Sequence, residues 1–174
     1  MQEMPATTKK WSELQGLTAV SINNGKKAGN VEDFYFDIQN SEIRALLIKT
    51  GLVGHRALLT NSIAAIGQHA LTFTDESFLI KESDDSDLPK MPLGRALISY
   101  RVLTEGGNVV GTIGNIILDI STPAKLKIAE FELTGGLFSH LSGNFPTFKA
   151  SEIIRYGHDV LIVSDAAIAS LEKR

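Results

Sequence analysis

Apolar residues in this chain fall in short runs, each closed by a cluster of Gly, Asn, Asp or Ser. Short runs rich in β-branched and aromatic residues predict strands rather than helices. Residues 17–22 form the first strand, and Asn23-Asn-Gly25-Lys-Lys27 supplies a turn from residues that tolerate positive φ. Residues 30–37 return with Phe34, Tyr35 and Phe36 in a row, which places aromatic side chains on both faces of a strand. Residues 43–50 are dense in Leu and Ile and predict a third strand, buried on both faces. A turn at 51–54 leads to a fourth strand at 56–59. Residues 62–66 predict a helical turn, capped by Asn61 or Ser62 and stopped by Gly67. A fifth strand follows at 69–74.

The same order recurs further on, with strands at 97–103, 110–120, 128–133, 145–149 and 160–164 and a turn at 151–156. Ile63/Ile153, Gly67/Gly157, Leu71/Leu161 and Asp75/Asp165 are identical at an offset of 90. Earlier identities need smaller offsets. Gly16/Gly94 and Ser21/Ser99 pair at 78, Gly25/Gly107, Gly29/Gly111 and Asp37/Asp119 at 82, and Ile43/Ile128, Gly51/Gly136, Leu52/Leu137 and His55/His140 at 85. The steps fall at turns or strand ends, where insertions are tolerated. This predicts two copies of one small β-rich unit, at 14–80 and 93–165. An N-terminal tail at 1–13, an acidic linker at 81–92 and a C-terminal tail or short helix at 166–174 complete the chain. The linker, with Pro89 and Pro92 among four acidic and two basic residues, reads as an extended connector.

Composition narrows the class of protein. Hydrophobic residues make up 43% and charged residues 21% of the 174, the profile of a folded globular protein. The absence of cysteine excludes disulfides, thiol nucleophiles and thiolate metal sites, and predicts a reducing, cytoplasmic setting. The net charge of −3 is spread evenly: the first copy has five basic residues against six acidic, the second six against seven. No segment has the basic excess of a general nucleic-acid binder, so no direct nucleic-acid contact is expected. No apolar stretch is long enough for a transmembrane helix, and residues 1–10 are too polar for a secretory signal.

Residues 11–21 (WSELQGLTAVS), 24–37 (NGKKAGNVEDFYFD) and 43–51 (IRALLIKTG), with the turn at 62–67, resemble PRC-barrel domains. Residues 107–119 and 153–165 carry the resemblance into the second copy. The resemblance implies two tandem small six-stranded β-barrels, each with one short helical turn. Such barrels occur in the cytoplasmic part of the photosynthetic reaction-centre H subunit. They also occur at the C-terminus of a bacterial ribosome-maturation factor, where they help bind a small-subunit ribosomal protein. The chain shows neither the membrane helix of the first nor the N-terminal domain of the second, so neither function carries over directly.

Candidate chemistry is sparse. His55 and His140 correspond between copies and could ligate a metal or transfer protons, but each lacks a convergent ligand set, and a loop or core-edge histidine fits as well. Asp37 and Asp119 could relay protons, yet an Asp ending a strand commonly bonds the backbone of the following turn. Gly106–Gly111 lacks the Lys-Ser/Thr of a phosphate loop and reads as a β-turn. Ser139, His140 and Ser142 lack a third orienting group and an oxyanion hole. No catalytic, cofactor or metal site is therefore expected, and the chain is not expected to be an enzyme. The copies differ most at 142–149, which makes Phe138, His140, Phe145 and Phe148 the candidate partner-contact residues, since aromatics are enriched at interface centres. The expected function is a non-enzymatic adapter or scaffold with a protein partner. The alternatives are an accessory factor peripheral to a photosynthetic or other membrane complex, and a ribosome-associated maturation protein. Strand edges leave homo-oligomer formation open.

Overall fold

The computed structural model describes residues 7–135 and 146–172. They are mainly β and fall into two compact units. The first takes in residues 1–94 together with 118–127, and the second takes in 95–117 and 128–174.

The first unit opens with β1 (Thr8–Lys10) and a one-turn helix α1 (Trp11–Leu14). Then come β2 (Thr18–Ser21), β3 (Lys26–Asp37), β4 (Glu42–Thr50), β5 (Gly54–Leu59), β6 (Ile63–Ile66), β7 (Ala70–Phe73) and β8 (Leu79–Ile80). Their pairing runs β6-β7-β2-β3-β4-β5-β8. All neighbours are antiparallel except β2 and β7, which run parallel from Thr18↔Ala70 to Ser21↔Phe73. Helix α1 has no side-chain cap; its place is set by burial of Trp11 and Leu14. The Trp11 ring stands edge-on to Phe34 at 4.9 Å between centroids, so part of the expected N-terminal tail belongs to the core. Phe34, Phe36, Leu46, Ile48, Leu58, Leu71 and Phe73 are fully buried. Each contributes about 1.5–3 kcal/mol of transfer free energy.

Strand β3 bends around this core through irregularities at 31–33 and 35–36. Close approach there depends on Gly29, where a Cβ would lie 2.2 Å from the Lys49 carbonyl oxygen. Tyr35 points to the opposite face from Phe34, as three consecutive aromatics require. It packs with Ala45, Ala57 and Leu88.

Leu88 lies in the segment expected to be an extended connector. Instead, that segment holds two 3-10 turns, Glu82–Asp84 and Leu88–Lys90, and lies on the first unit. Leu88 is fully buried, with Met91 and Leu93 beside it. Two of the segment's four acidic residues hold side chains of the sheet as well. The Tyr35 hydroxyl donates to Glu82 Oε2 at 2.9 Å, and Arg44 Nη2 donates to Asp85 Oδ2 at 2.9 Å. The Phe36 N–H donates to the Pro92 carbonyl at 2.9 Å. Leu88 and Met91 among the charges, with Leu93 just beyond them, give this segment a face to bury, which its charge count conceals.

The second unit contains a helical turn α2 (Gly94–Leu97), β9 (Arg101–Thr104), β10 (Val109–Asp119), β11 (Lys127–Thr134), β12 (Thr147–Lys149), β13 (Ile153–Tyr156), β14 (Val160–Val163) and α3 (Asp165–Glu172). Both α2 and the ends of β10 and β11 straddle the boundary between units. The pairing order is β13-β14-β9-β10-β11-β12, with β9 and β14 parallel from Arg101↔Val160 to Thr104↔Val163. Phe131 on β11 stacks on Phe148 of β12 at 5.4 Å.

Two expectations change. The pairing does not close into a ring in either unit among the described residues: β6 and β8 end the first series, and β12 and β13 end the second. The helical turns expected at 62–66 and 151–156 fall earlier, as 3-10 turns Thr60–Ser62 and Ala150–Glu152, and strands follow them. Ile63 pairs with Phe73 and Ile66 with Leu71, with a bulge between. A bulged strand places apolar residues three apart, the spacing of a helix face.

Candidate functional site

The most unusual surface of the first unit is the hairpin joining β4 to β5. Gly51 has φ +73°, and a Cβ on Gly54 would come within 2.6 Å of the Thr50 carbonyl oxygen. Glycine at both ends lets the chain reverse tightly, with Thr50 opposite Gly54 as the last pair. The two residues between them project outward. Leu52 is 95% and Val53 90% exposed, the most exposed large hydrophobics among the described residues.

Pairing places basic residues around this tip. Asn30 of β3 lies opposite Lys49 of β4, so Lys26 and Lys27 lie on the same side of that pair as the Gly51–Gly54 turn. Lys49 is in turn opposite His55 of β5, and Arg56 follows it. All four cations are exposed. The neighbouring β2–β3 turn also presents an apolar residue, Ile22, 55% exposed.

Two carboxylates at this end are already engaged. Glu32 Oε2 lies 2.5 Å from His55 Nε2. Asp75 accepts from Asn23 Nδ2 at 3.1 Å and from the Ser77 N–H at 3.0 Å. The Ser77 hydrogen bonds, with Asn23 behind them, hold the Asp75 carboxyl below its ordinary value of 3.8. His55, one of the two corresponding histidines, thus faces a carboxylate at a solvent-exposed rim; His140 lies outside the described residues.

The paired aspartates stand elsewhere and close turns. Asp37 accepts from the N–H groups of Gln39 and Asn40 and from Asn40 Nδ2. Asp119 Oδ1 accepts from the Ser121 hydroxyl at 2.6 Å and the Ser121 N–H at 3.0 Å. These bonds lower the Asp119 pKa from 3.8 against the opposing influence of burial, and Lys127 adds a lesser lowering. A cleft of about 420 Å³ opens beside Asp37, lined also by Phe36, Asn40, Asp87, Lys90 and Met91. Among the described residues no three His, Cys, Asp or Glu side chains converge to hold a metal ion.

The glycine run 106–111 forms a turn, with the Gly107 N–H donating to Thr104 O and the Asn108 N–H to Thr104 Oγ1. Of the four candidate contact residues, Phe138, His140 and Phe145 lie outside the described residues, as do Ser139 and Ser142. Phe148 is described, and its ring is 1% exposed against Phe131, inside the core. The Leu52-Val53 tip did not stand out in the sequence. Its signal was two aliphatic residues inside a glycine-flanked turn, where polar residues are the rule.

No curated protein matches the chain. A family model described as PRC-barrel domain matches residues 6–77, from the start of β1 to the turn before β8, and so includes the exposed tip and the His55–Glu32 contact. The first unit therefore contains a PRC-barrel domain, at residues 6–77.

Proposed function

We propose that the chain is a non-enzymatic adapter, a duplicated PRC-type scaffold that holds a protein partner. One observation carries this reading: the two units share a pairing register but differ in chemistry on one face. In β2–β3, Ala19 pairs with Gly29, and a bulge follows at Ala19/Val20. In β9–β10, Val102 pairs with Gly111, and a bulge occupies the same place. In β4–β5 the pairs are Ala45↔Leu59, Leu46↔Leu58 and Leu47↔Ala57. In β11–β12 they are Glu130↔Lys149, Phe131↔Phe148 and Glu132↔Thr147.

The middle pair is buried and apolar in both units. The flanking pairs point to the other face. In the first unit they are Ala and Leu, packed with Leu88 and its neighbours. In the second they are charged or hydroxylated, with Thr147 Oγ1 and Glu130 Oε1 3.3 Å apart. A shared framework with one face apolar and sealed and the other ionic supports two different uses of one scaffold. The aspartates that correspond between units are engaged in turns, which fits a framework role.

The test is affinity capture from native extract with the full chain as bait and Lys149→Glu as its matched control. Lys149 is exposed but lies opposite Glu130, so the like-charge pair should lower the melting temperature by a few degrees at most and leave the chain folded. The expected result is a defined protein retained by the unaltered chain and reduced several-fold with the variant. A bait that retains only what an unrelated folded protein of equal charge retains overturns the reading.

A further inference from the structure

We propose that the Gly51–Gly54 hairpin end of the first unit docks onto an anionic bilayer surface, with Leu52 and Val53 entering the headgroup–acyl boundary. This goes beyond the adapter reading and stands independently of it. The tip combines two features that one ligand chemistry explains. Leu52 and Val53 form a protruding aliphatic pair, 95% and 90% exposed, where a soluble turn would carry polar residues. Lys26, Lys27, Lys49 and Arg56 lie at the same end, and their long stems let the charged heads reach lipid phosphates while the tip inserts.

Charge argues for a membrane over the other occupants. The chain as a whole carries −3. A negative membrane repels most of that surface and attracts this end, so the field itself orients the molecule. Contact between two copies through the same tip would set Lys49 and Arg56 of one against those of the other. A protein pocket for Leu52 and Val53 would need an acidic rim, and nothing on this surface selects one. Of the carboxylates at this end, Glu32 faces His55, while Asp75, bonded to neutral Asn23 and Ser77, keeps its charge and is outnumbered by the four cations. Glu76, which is exposed, follows Asp75 in the next turn.

The test is sedimentation of the full chain with vesicles of phosphatidylcholine alone, or with about a third phosphatidylglycerol. Binding is expected to the anionic vesicles only, and to weaken as salt is raised. Leu52→Ser/Val53→Ser should lower the partition coefficient by about a hundredfold, the loss of two inserted aliphatic side chains. Both positions are solvent-exposed, so the melting curve should not move. A Leu52→Trp variant adds a direct readout. Trp11, the single native tryptophan, is buried in the core and already shielded from water, so any blue shift on adding anionic vesicles reports position 52.

Absence of binding to anionic vesicles overturns the proposal. So does binding that is unchanged by the double serine variant, which would mark a charge-only site for polyanions. Concentration-dependent dimerisation abolished by the double serine variant, without vesicle binding, would assign the tip to a second copy instead. None of these outcomes touches capture of a protein partner, so failure here is distinguishable from failure of the adapter reading.

Discussion

Single atoms decide how closely β3 and β4 approach. A methyl group at position 29 has no room beside the Lys49 carbonyl and Ile48 Cγ2, 2.2 and 2.9 Å away. Gly29→Ala should therefore cost about 1–3 kcal/mol by overpacking, read as a lower urea midpoint. Gly25→Ala makes a useful contrast. It meets open space but sits at φ +65°, so its cost is that of left-handed backbone alone, about 1 kcal/mol. Equal effects would contradict the packing account. Asp119 supplies a second prediction, in pH. Its carboxyl is held below 3.8 in the folded chain by Ser121 and returns to that value on unfolding. Its contribution is therefore complete above pH 3.8 and is lost as pH falls through the lowered folded value. Asp119→Asn keeps the Oδ1 acceptor but cannot titrate. Its urea midpoint should decline less steeply than that of the unaltered chain below about pH 4, with the two curves parallel at neutral pH.

At the scale of elements, the acidic segment after β8 is the least expected part of the structure. Its two 3-10 turns bury Leu88 over Tyr35, Ala45 and Ala57. Leu88→Ala should cost about 2–5 kcal/mol if the first unit cannot close the space. The loss should appear as faster amide exchange across residues 80–93 before any other part of the first unit opens. Uniform exchange along the whole unit would show instead that the segment is one cooperative body with the sheet. The sequence reported this segment poorly because charge dominates its composition and Leu88, Met91 and the following Leu93 lack a regular period. It reported strand pairing far better. The offsets of 82 for Gly29/Gly111, 85 for Ile43/Ile128 and 90 for Ile63/Ile153 recur in the pairings of β3 with β2, β4 with β5 and β6 with β7 and their counterparts. The offset of 78 does not recur: Thr18 and Arg101 hold corresponding places, five further apart. Ser21/Ser99 was a coincidence of type. The candidate contact residues fared differently from the pairing. From sequence alone Phe148 fits an interface as well as a core, because aromatics serve both, and only the strand opposite it decides which.

At the scale of the molecule, sequence halves and structural units do not coincide. Residues 118–127 belong to the first unit although they lie within the second stretch of sequence. Leu126 is fully buried there, its carbonyl accepts the Ile43 N–H at 2.9 Å, and Lys127 pairs with Glu42. The Ile120 N–H likewise donates to Thr7 O at 2.8 Å. Leu126→Ala should accordingly lower the unfolding midpoint reported by Trp11 fluorescence, by about 2–5 kcal/mol in stability, despite the 114 residues between them in sequence. A Trp11 transition that stays in place would mean that residues 118–127 lie on the first unit without supporting it.

That loan of ten residues has a consequence for how the protein is made. Chains generally fold from the N-terminus as they are synthesised, each domain once its last residue is available. Here the first unit does not possess its last residue until position 127 has been translated, by which point the opening strands of the second are already complete. The nascent chain thus has a waiting period in which Ile43 and its neighbours lack their final partners. Its two halves cannot be exchanged as independent cassettes, because any single cut between them takes residues from at least one of the two units.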